Sequence, residues 1–568
     1  MYAQEPWSFP IGLIKGLSYP FSDGNIGNVG AIPLFALIFK AFGTLMPYFQ
    51  YFDYFVLVDI TSCFLTAYYS QKILDALQIK NFGFRALAAL LTGTSFLVFN
   101  RSAWMQPFCI VAFPIFCAWI YAMLLTLRRG KWVLTQEISI LSIYPLAALT
   151  DNYSLFAILL GTFVLMVREI YEAIFGGLTT SWSRCMRLFL FCVIGAALSV
   201  IALYMIGMYP LPSIPQSFSS YDFGMGGRYH VADLFSPWLP AANGEIEYFP
   251  EPSLLGRIGF PISTKLLADG QYEGIAYIGT SALLIWFFLI TNWLRLIIKN
   301  RYEYGIPIAY VNTSLVLFSS WKKIAIACSC VFIFSLGYEL HILGYAFPSF
   351  SGMPAAWIAD RFPSVHNIRA QGRLASLLSL FLIIEGVRQL AIWCDKRSVL
   401  LHKNRSNQKE VITLLIILLL TGIHIIEIFA FFKPVPVQKT LSMGDWTEGE
   451  IAKIKQISAK HDALLIAPNW REGLAWETKI YSLAFYSGLR SNIYLIARTL
   501  PERETRISRD LDWVIRGEWE ALEKEYGQNL LFAVPTSSAE RLRSHMNIGY
   551  EEYQVGSLSL WSKRKKLK

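Results

Sequence analysis

Residues 394–410 read CDKRSVLLHKNRSNQKE, and they lie between two apolar runs, 374–393 and 411–432. Five Lys or Arg fall in this short stretch. Short basic loops between hydrophobic segments are retained on the cytoplasmic side, so the stretch sets both the class of the chain and its orientation. Working outward, ten segments read as membrane crossings: 54–72, 85–100, 108–127, 137–150, 153–172, 187–208, 275–298, 322–338, 374–393 and 411–432. Counting back from 394–410 puts LRRGKW (127–132), KNR (299–301) and SSWKK (319–323) inside. It puts the loops 209–274 and 339–373, and everything after 433, outside. The loop 209–274 holds seven acidic residues against three Lys or Arg, in keeping with that register.

Composition agrees. The chain has 568 residues, 54% hydrophobic and 16% charged, with mean hydropathy +0.42. A soluble domain carries about a quarter charged residues. The net charge of +10 is spread through short runs between apolar segments and does not form the single basic face that nucleic acid requires. None of the eight cysteines lies in the two long loops or after 433, and no CxxC, HExxH or phosphate-loop motif occurs. The expected fold is therefore an α-helical polytopic membrane protein of about 10–11 transmembrane helices with a C-terminal soluble α/β domain.

The same count places residue 53 outside. Residues 30–48 contain Pro33, Lys40, Gly43 and Pro47 and make a poor crossing; Lys40 near the centre costs ~2.5–3.5 kcal/mol unless it pairs or snorkels. A shallow interfacial helix fits better. Met1 is then already outside, and the expectation is that a further helix precedes it. The domains expected are 1–53, an external N-terminal loop with an interfacial helix; 54–432, the bundle; and 433–568, an external α/β domain. In that last domain DALLIAP, SNIYLIA, NLLFAVP and SLSLWS read as strands alternating with helical patterns, hence a largely parallel sheet, with the glycine of GQN (527–529) stopping a helix.

Polar residues gather on the side read as external. Asp151 and Asn152 interrupt two apolar segments in LAALTDNYSLF, either as a functional acid or as a helical hairpin turn. Asp23 stands in YPFSDGNIGN as a general-base candidate or as turn chemistry. Arg228, His230 and Asp233 lie in SSYDFGMGGRYHVADLFSPWLP, and Glu273 precedes the crossing at 275–298. Arg369 and Arg373, four apart, share one face if helical and suit a phosphate of a lipid carrier or leaving group. Within the bundle Glu385 has Arg388 one turn on. Carboxylates beside phosphate oxygens could hold a divalent cation, although no ligand cluster demands one.

The motifs EPWSFPIG, AIPLFALIFKAFG, FGMGGRYHVADLFSPW, GQYEGIAYIG and NIRAQGR, in that order, resemble a bacterial family of polytopic membrane proteins of unknown function grouped with the GT-C glycosyltransferases. The resemblance spans roughly residues 5–395. It implies a GT-C-like bundle in the bacterial inner membrane with its soluble domain extracytoplasmic. It further implies a polyprenyl-phosphate sugar donor, a glycan or lipid acceptor, and a catalytic acid in the first external loop, for which Asp23 is the substitute candidate here. The catalytic set expected is Asp23, Asp151 and Glu273; the lipid-phosphate or substrate set is Arg228, His230, Asp233, Arg369 and Arg373. The alternatives are a transporter or flippase of a lipid-linked saccharide and a non-catalytic membrane scaffold.

Overall fold

A computed structural model describes residues 6–14, 24–26, 32–46, 54–95, 110–129, 132–176, 179–208, 230–240, 253–258, 262–263, 274–303, 315–347, 353–361, 370–400, 406–431, 446–466, 486–491, 518–527, 529–536 and 549–564, with single positions at 2, 483, 484, 509, 513, 516, 539 and 543. In chain order the elements are β1 (Leu13–Ile14), β2 (Gly24–Asn25), α1 (Pro33–Leu45), α2 (Phe55–Ala76), α3 (Phe82–Gly93), α4 (Ala112–Arg128), α5 (Leu134–Thr150), α6 (Asn152–Phe175), α7 (Thr179–Met205), α8 (Thr280–Glu303) and α9 (Leu315–Ser335). There follow β3 (Leu340–Ile342), β4 (Tyr345–Phe347), α10 (Ala375–Leu400), α11 (Ser406–Phe431), α12 (Glu448–Ser458), β5 (Ala463–Ile466), β6 (Arg490–Ser491), α13 (Trp519–Tyr526), β7 (Leu530–Pro535), β8 (Tyr550–Val555) and β9 (Leu558–Lys563). The chain divides into two units: Met1–Phe52 with Tyr204–Pro210 and Lys433–Lys568, and Asp53–Leu203 with Leu211–Phe432.

The second unit is helical. Each of the ten apolar segments contains a helix, and four stretches are long and apolar enough to cross a membrane: Asn152–Phe175, Ser181–Met205, Gln371–Asp395 and Glu410–Phe429. Pro33–Leu45, Phe82–Gly93, Ala112–Arg128 and Thr280–Arg295 are shorter apolar helices. α4 is buried along nearly its whole length and packs on α2, α5, α6 and α9. α7 and α11 instead expose large apolar side chains such as Val193, Ile201, Leu415 and Leu419, as helices facing lipid do. Close helix approach uses small residues. A Cβ on Gly161 would lie 2.7 Å from the Trp119 ring, and one on Gly195 2.7 Å from the Tyr144 ring. The Trp119 indole donates to Thr162 Oγ1 at 3.0 Å, and the Tyr144 hydroxyl bonds the same oxygen at 2.8 Å, so one hydroxyl ties α4, α5 and α6.

In the first unit, Ile11 N–H donates to the Met205 carbonyl at 2.8 Å and Phe9 stacks on Tyr204 with centroids 5.6 Å apart. Lys40 of α1 is buried, its Nζ 4.0 Å from the Tyr2 ring centroid and 5.0 Å from that of Trp7. Aromatic faces thus stabilise the ammonium that the sequence left exposed to a desolvation cost.

The C-terminal sheet has the order β6-β5-β7-β9-β8. β5 runs parallel to β6 and β7, whereas β9 is antiparallel to both β7 and β8. The sheet is mixed, which corrects the largely parallel expectation. The cause is β8, YEEYQV, whose polar surface hid a strand; it pairs with β9 through a tight turn at Gly556, φ +56°. Alternate residues of β7 enter two cores, Leu531 and Ala533 on the face that buries Ile454 and Ile457 of α12, and Leu530, Phe532 and Val534 on the face that buries Leu522 and Tyr526 of α13. A strand covered on both faces reads as a continuous apolar run. Thr447 and Glu450 form a capping box on α12, and Gly527 at φ +102° ends α13 before β7.

Candidate functional site

Three stretches of backbone converge at the end of the helical unit where α6 and α10 begin: residues 230–239, 274–280 and 370–374. Gly372 N–H donates to the His230 carbonyl at 3.0 Å. A Cβ on Gly372 would stand 2.5 Å from Gly274 Cα and 2.8 Å from the Val231 carbonyl carbon. A Cβ on Gly274 would strike the Val231 carbonyl oxygen and lie 2.5 Å from Ala232 Cα. Only glycine permits chains to meet this closely. Ala232 N–H donates to the Ser335 carbonyl at the end of α9, and Ile278 N–H to the Pro237 carbonyl, so the junction is tied to its surroundings through main chain.

Asp151 is extended and ends α5 while capping α6: Oδ2 accepts Ser154 N–H at 2.8 Å and Oδ1 accepts Tyr153 N–H at 3.4 Å. The turn reading of this acid therefore describes what its carboxylate touches. Two residues on, the Tyr153 hydroxyl accepts Ala370 N–H at 3.2 Å, and the Arg373 guanidinium lies over the Tyr153 ring at 4.9 Å. Arg373 sits in a 3-10 turn, Gln371–Leu374, that leads into α10. Gln371, from the same turn, is fully buried, and neither its Oε1 nor its Nε2 has a hydrogen-bond partner among the described residues. Buried amides are normally satisfied, which sets this one apart among the described residues.

Asp233, of the expected substrate set, is held by main-chain amides. Oδ1 accepts Phe235 N–H and Oδ2 accepts Gly344 N–H, each at 2.9 Å, which clasps the 230–239 stretch to the β3–β4 turn. The structure thus brings Asp151, His230 and Arg373 to one junction, with Asp233 bracing it. Asp23, Arg228, Glu273 and Arg369 lie outside the described residues. In the chain, Glu273 directly precedes Gly274, Arg369 directly precedes Ala370, and Arg228 is two residues before His230. Among the described residues no group of three or more His, Cys, Asp or Glu converges as metal ligands do.

Several buried polar residues escaped the sequence reading. Glu427 of α11 accepts Thr280 N–H at 2.9 Å and the Thr280 hydroxyl at 2.5 Å, holding the start of α8; Tyr277 bonds that hydroxyl at 3.0 Å. A lone acid within GIHIIEIF was the signal available. Glu385, which the sequence set one turn from Arg388, is gripped by it through Nε at 2.6 Å and Nη2 at 2.8 Å; what the sequence did not show is the Trp321 indole, which donates to it at 2.6 Å. The interior also carries more charge than the sequence suggested. Lys323 of α9 bonds Glu169 and, at 2.6 Å, Glu172, both on α6; Arg184 and Arg187 of α7 approach Glu169 at 3.8 Å and Glu137 at 3.9 Å.

A family model described as Domain of unknown function (DUF6311) matches residues 1–420, and the chain belongs to that family. No curated protein matches it. The family description carries no activity.

Proposed function

We propose, with membership of that family as the premise, that this chain is a GT-C-type membrane glycosyltransferase, an inner-membrane bundle that takes a sugar from a polyprenyl-phosphate carrier on the extracytoplasmic side. The observation that carries the reading is Arg373 held over Tyr153, beside the buried Gln371, whose amide has no partner among the described residues, where three glycine-packed stretches meet. A guanidinium stays charged at any depth and matches phosphate oxygens in pairs. With the ring beneath it and its turn anchored by the Tyr153 hydroxyl, it is positioned before the reaction begins, which is the condition for stabilising charge that develops on a leaving group. The positive-inside count supports an outward-facing junction.

In this reading Arg373 and Arg369 receive the carrier phosphate as the bond from the sugar carbon to its oxygen breaks. A carboxylate, Glu273, takes the proton of the acceptor hydroxyl as the hydroxyl oxygen attacks the same carbon. Asp151, engaged at the helix cap, shapes the turn that presents Tyr153. A divalent cation, were one used, would be held by that carboxylate and would supply positive charge beside the phosphate.

A transporter of a lipid-linked saccharide is the second reading, favoured by the buried ion pairs of the bundle, Glu385–Arg388 and Lys323–Glu169. The test is consumption of radiolabelled polyprenyl-phosphate sugars by the full chain in proteoliposomes. Wild-type protein turns over one donor, and Arg373→Ala lowers turnover by about 10²-fold or more, as loss of a preorganised charge does. Equal turnover in the variant overturns the phosphate assignment. Movement of intact donor between leaflets without cleavage supports the transporter.

A further inference from the structure

The opposite end of α6 carries a second polar feature that the transferase reading does not use. Arg187 of α7 is 1% exposed, yet its Nε and Nη2 have no hydrogen-bond partner among the described residues. Its one carboxylate neighbour among the described residues, Glu137 of α5, stands at 3.9 Å from Nη1, too far for a hydrogen bond. Nε and Nη2 form the edge of a guanidinium that grips an oxyanion in two-point fashion. One and two turns earlier on α7, Arg184 has an unpartnered Nε and Ser181 a fully buried, unpartnered hydroxyl. Positions 181, 184 and 187 share one face of the helix, and that face begins at its N-terminus, where amide groups favour anions.

The surrounding charges leave room for an anion. Facing Arg187 are Glu137 and, along its own helix, Arg184; facing Arg184 is Glu169, already bonded to Lys323. Of the groups in this network, Arg168, Arg184, Arg187 and Lys323 outnumber Glu137, Glu169 and Glu172. Trp132, 51% exposed, lies over the Arg187 guanidinium at 5.5 Å. Trp182, Met186 and Phe175 are exposed nearby in the sequence of α6 and α7, as side chains at a headgroup boundary are.

We propose that Ser181, Arg184 and Arg187 form a phosphate-binding site at the start of α7, which takes the phosphate of an anionic phospholipid headgroup or a free phosphate, with Trp132 as the group that swings aside to admit it. The site is independent of the donor-binding junction.

The experiment uses the full chain purified in dodecyl maltoside. Native mass spectrometry follows titration with phosphatidylglycerol, phosphatidylcholine and inorganic phosphate in separate arms. Wild-type protein binds one phosphatidylglycerol in preference to phosphatidylcholine, and Arg187→Gln weakens that binding about tenfold or more, the scale of a lost charge-assisted pair. Arg187→Lys, which keeps charge but loses the paired edge, falls between the two. Should Arg187→Gln fail to fold, Ser181→Ala combined with Arg184→Gln tests the same face and predicts the same loss of headgroup preference. Saturable binding of inorganic phosphate without lipid preference assigns the site to the free anion. Identical binding of both lipids in every variant, with none of inorganic phosphate, overturns the proposal and leaves an internal ion network only.

Discussion

The two ends of the helical unit hold their buried polar groups in opposite ways. Where α6 and α10 begin, carboxylates are satisfied by main-chain amides: Asp151 by Tyr153 and Ser154, Asp233 by Phe235 and Gly344. Where α6 stops and α7 and α9 begin, carboxylates are met by cations: Glu169 and Glu172 by Lys323, Glu137 by Arg187. The first arrangement depends on backbone segments lying close together, and so on glycine. The second depends on charge balance and tolerates looser packing. Each end also rests a cation on an aromatic ring, Arg373 on Tyr153 at the first and Arg187 on Trp132 at the second, but the first does so where glycines bring the backbone together.

The largest effect expected from breaking this contrast is at the charged end. Lys323→Met takes from the buried Glu169 its bonded cation and leaves the partly exposed Glu172 to Arg168, and lowers stability by about 3–5 kcal/mol, read by denaturation in mixed micelles. Adding Glu169→Gln and Glu172→Gln recovers much of that loss. No recovery would show that Lys323 acts through packing and not through charge.

At the glycine end, Gly372→Ala sets a Cβ against the backbone of Gly274 and Val231, which cannot turn away as a side chain can. A loss of about 1–3 kcal/mol is expected, together with loss of the Arg373–Tyr153 contact. A variant of wild-type stability would mean that the three stretches do not touch. Asp151→Ala, which removes the cap of α6, costs less, about 0.5–2 kcal/mol. Asp151→Asn retains most of the stability, and a collapse of turnover in that variant would assign the acid to chemistry after all.

The smallest effect comes from an ion pair without deep burial, which calibrates the buried ones. On the C-terminal sheet Arg543 grips Glu552 through Nε at 3.1 Å and Nη2 at 3.0 Å, and that hydrogen bonding holds the Glu552 carboxyl below its ordinary 4.5. A carboxyl depressed on folding contributes stability above its unfolded value and loses it as pH falls through the folded one. Arg543→Ala should therefore cost about 0.2–1 kcal/mol at neutral pH, since the arginine is substantially exposed. The difference from wild type should vanish on acidification below 4.5. A difference that persists in acid would assign the effect to packing of the arginine stem.

How much of this was legible can be argued from particular residues. The apolar runs located every one of the ten expected helices, because lipid and a protein core demand the same continuous hydrophobicity. GQN announced the stop at Gly527, since a helix that ends in a positive φ needs glycine there. β8 went unseen because an edge hairpin strand with polar residues has no apolar alternation to show. The residues NIRAQGR and GQYEGIAYIG stood out, but nothing in either predicts that Gly372 meets Gly274. Lys323 follows Lys322 and Glu169 follows Arg168 beside apolar runs in the sequence, and nothing in either pair names the other.

The sequence by itself determined the apolar, helix-rich class, with four stretches long and apolar enough to cross a membrane, the positions of the helices and a sheet region near the C-terminus, because hydrophobicity and chain punctuation are local properties. Tertiary structure alone decided which polar groups meet: that Asp233 braces a turn, that Arg373 lies on Tyr153, that Gln371 is buried with no partner among the described residues and that Lys323 neutralises two acids. These are contacts between residues far apart in the chain, and their energies arise from exclusion of solvent once the helices pack.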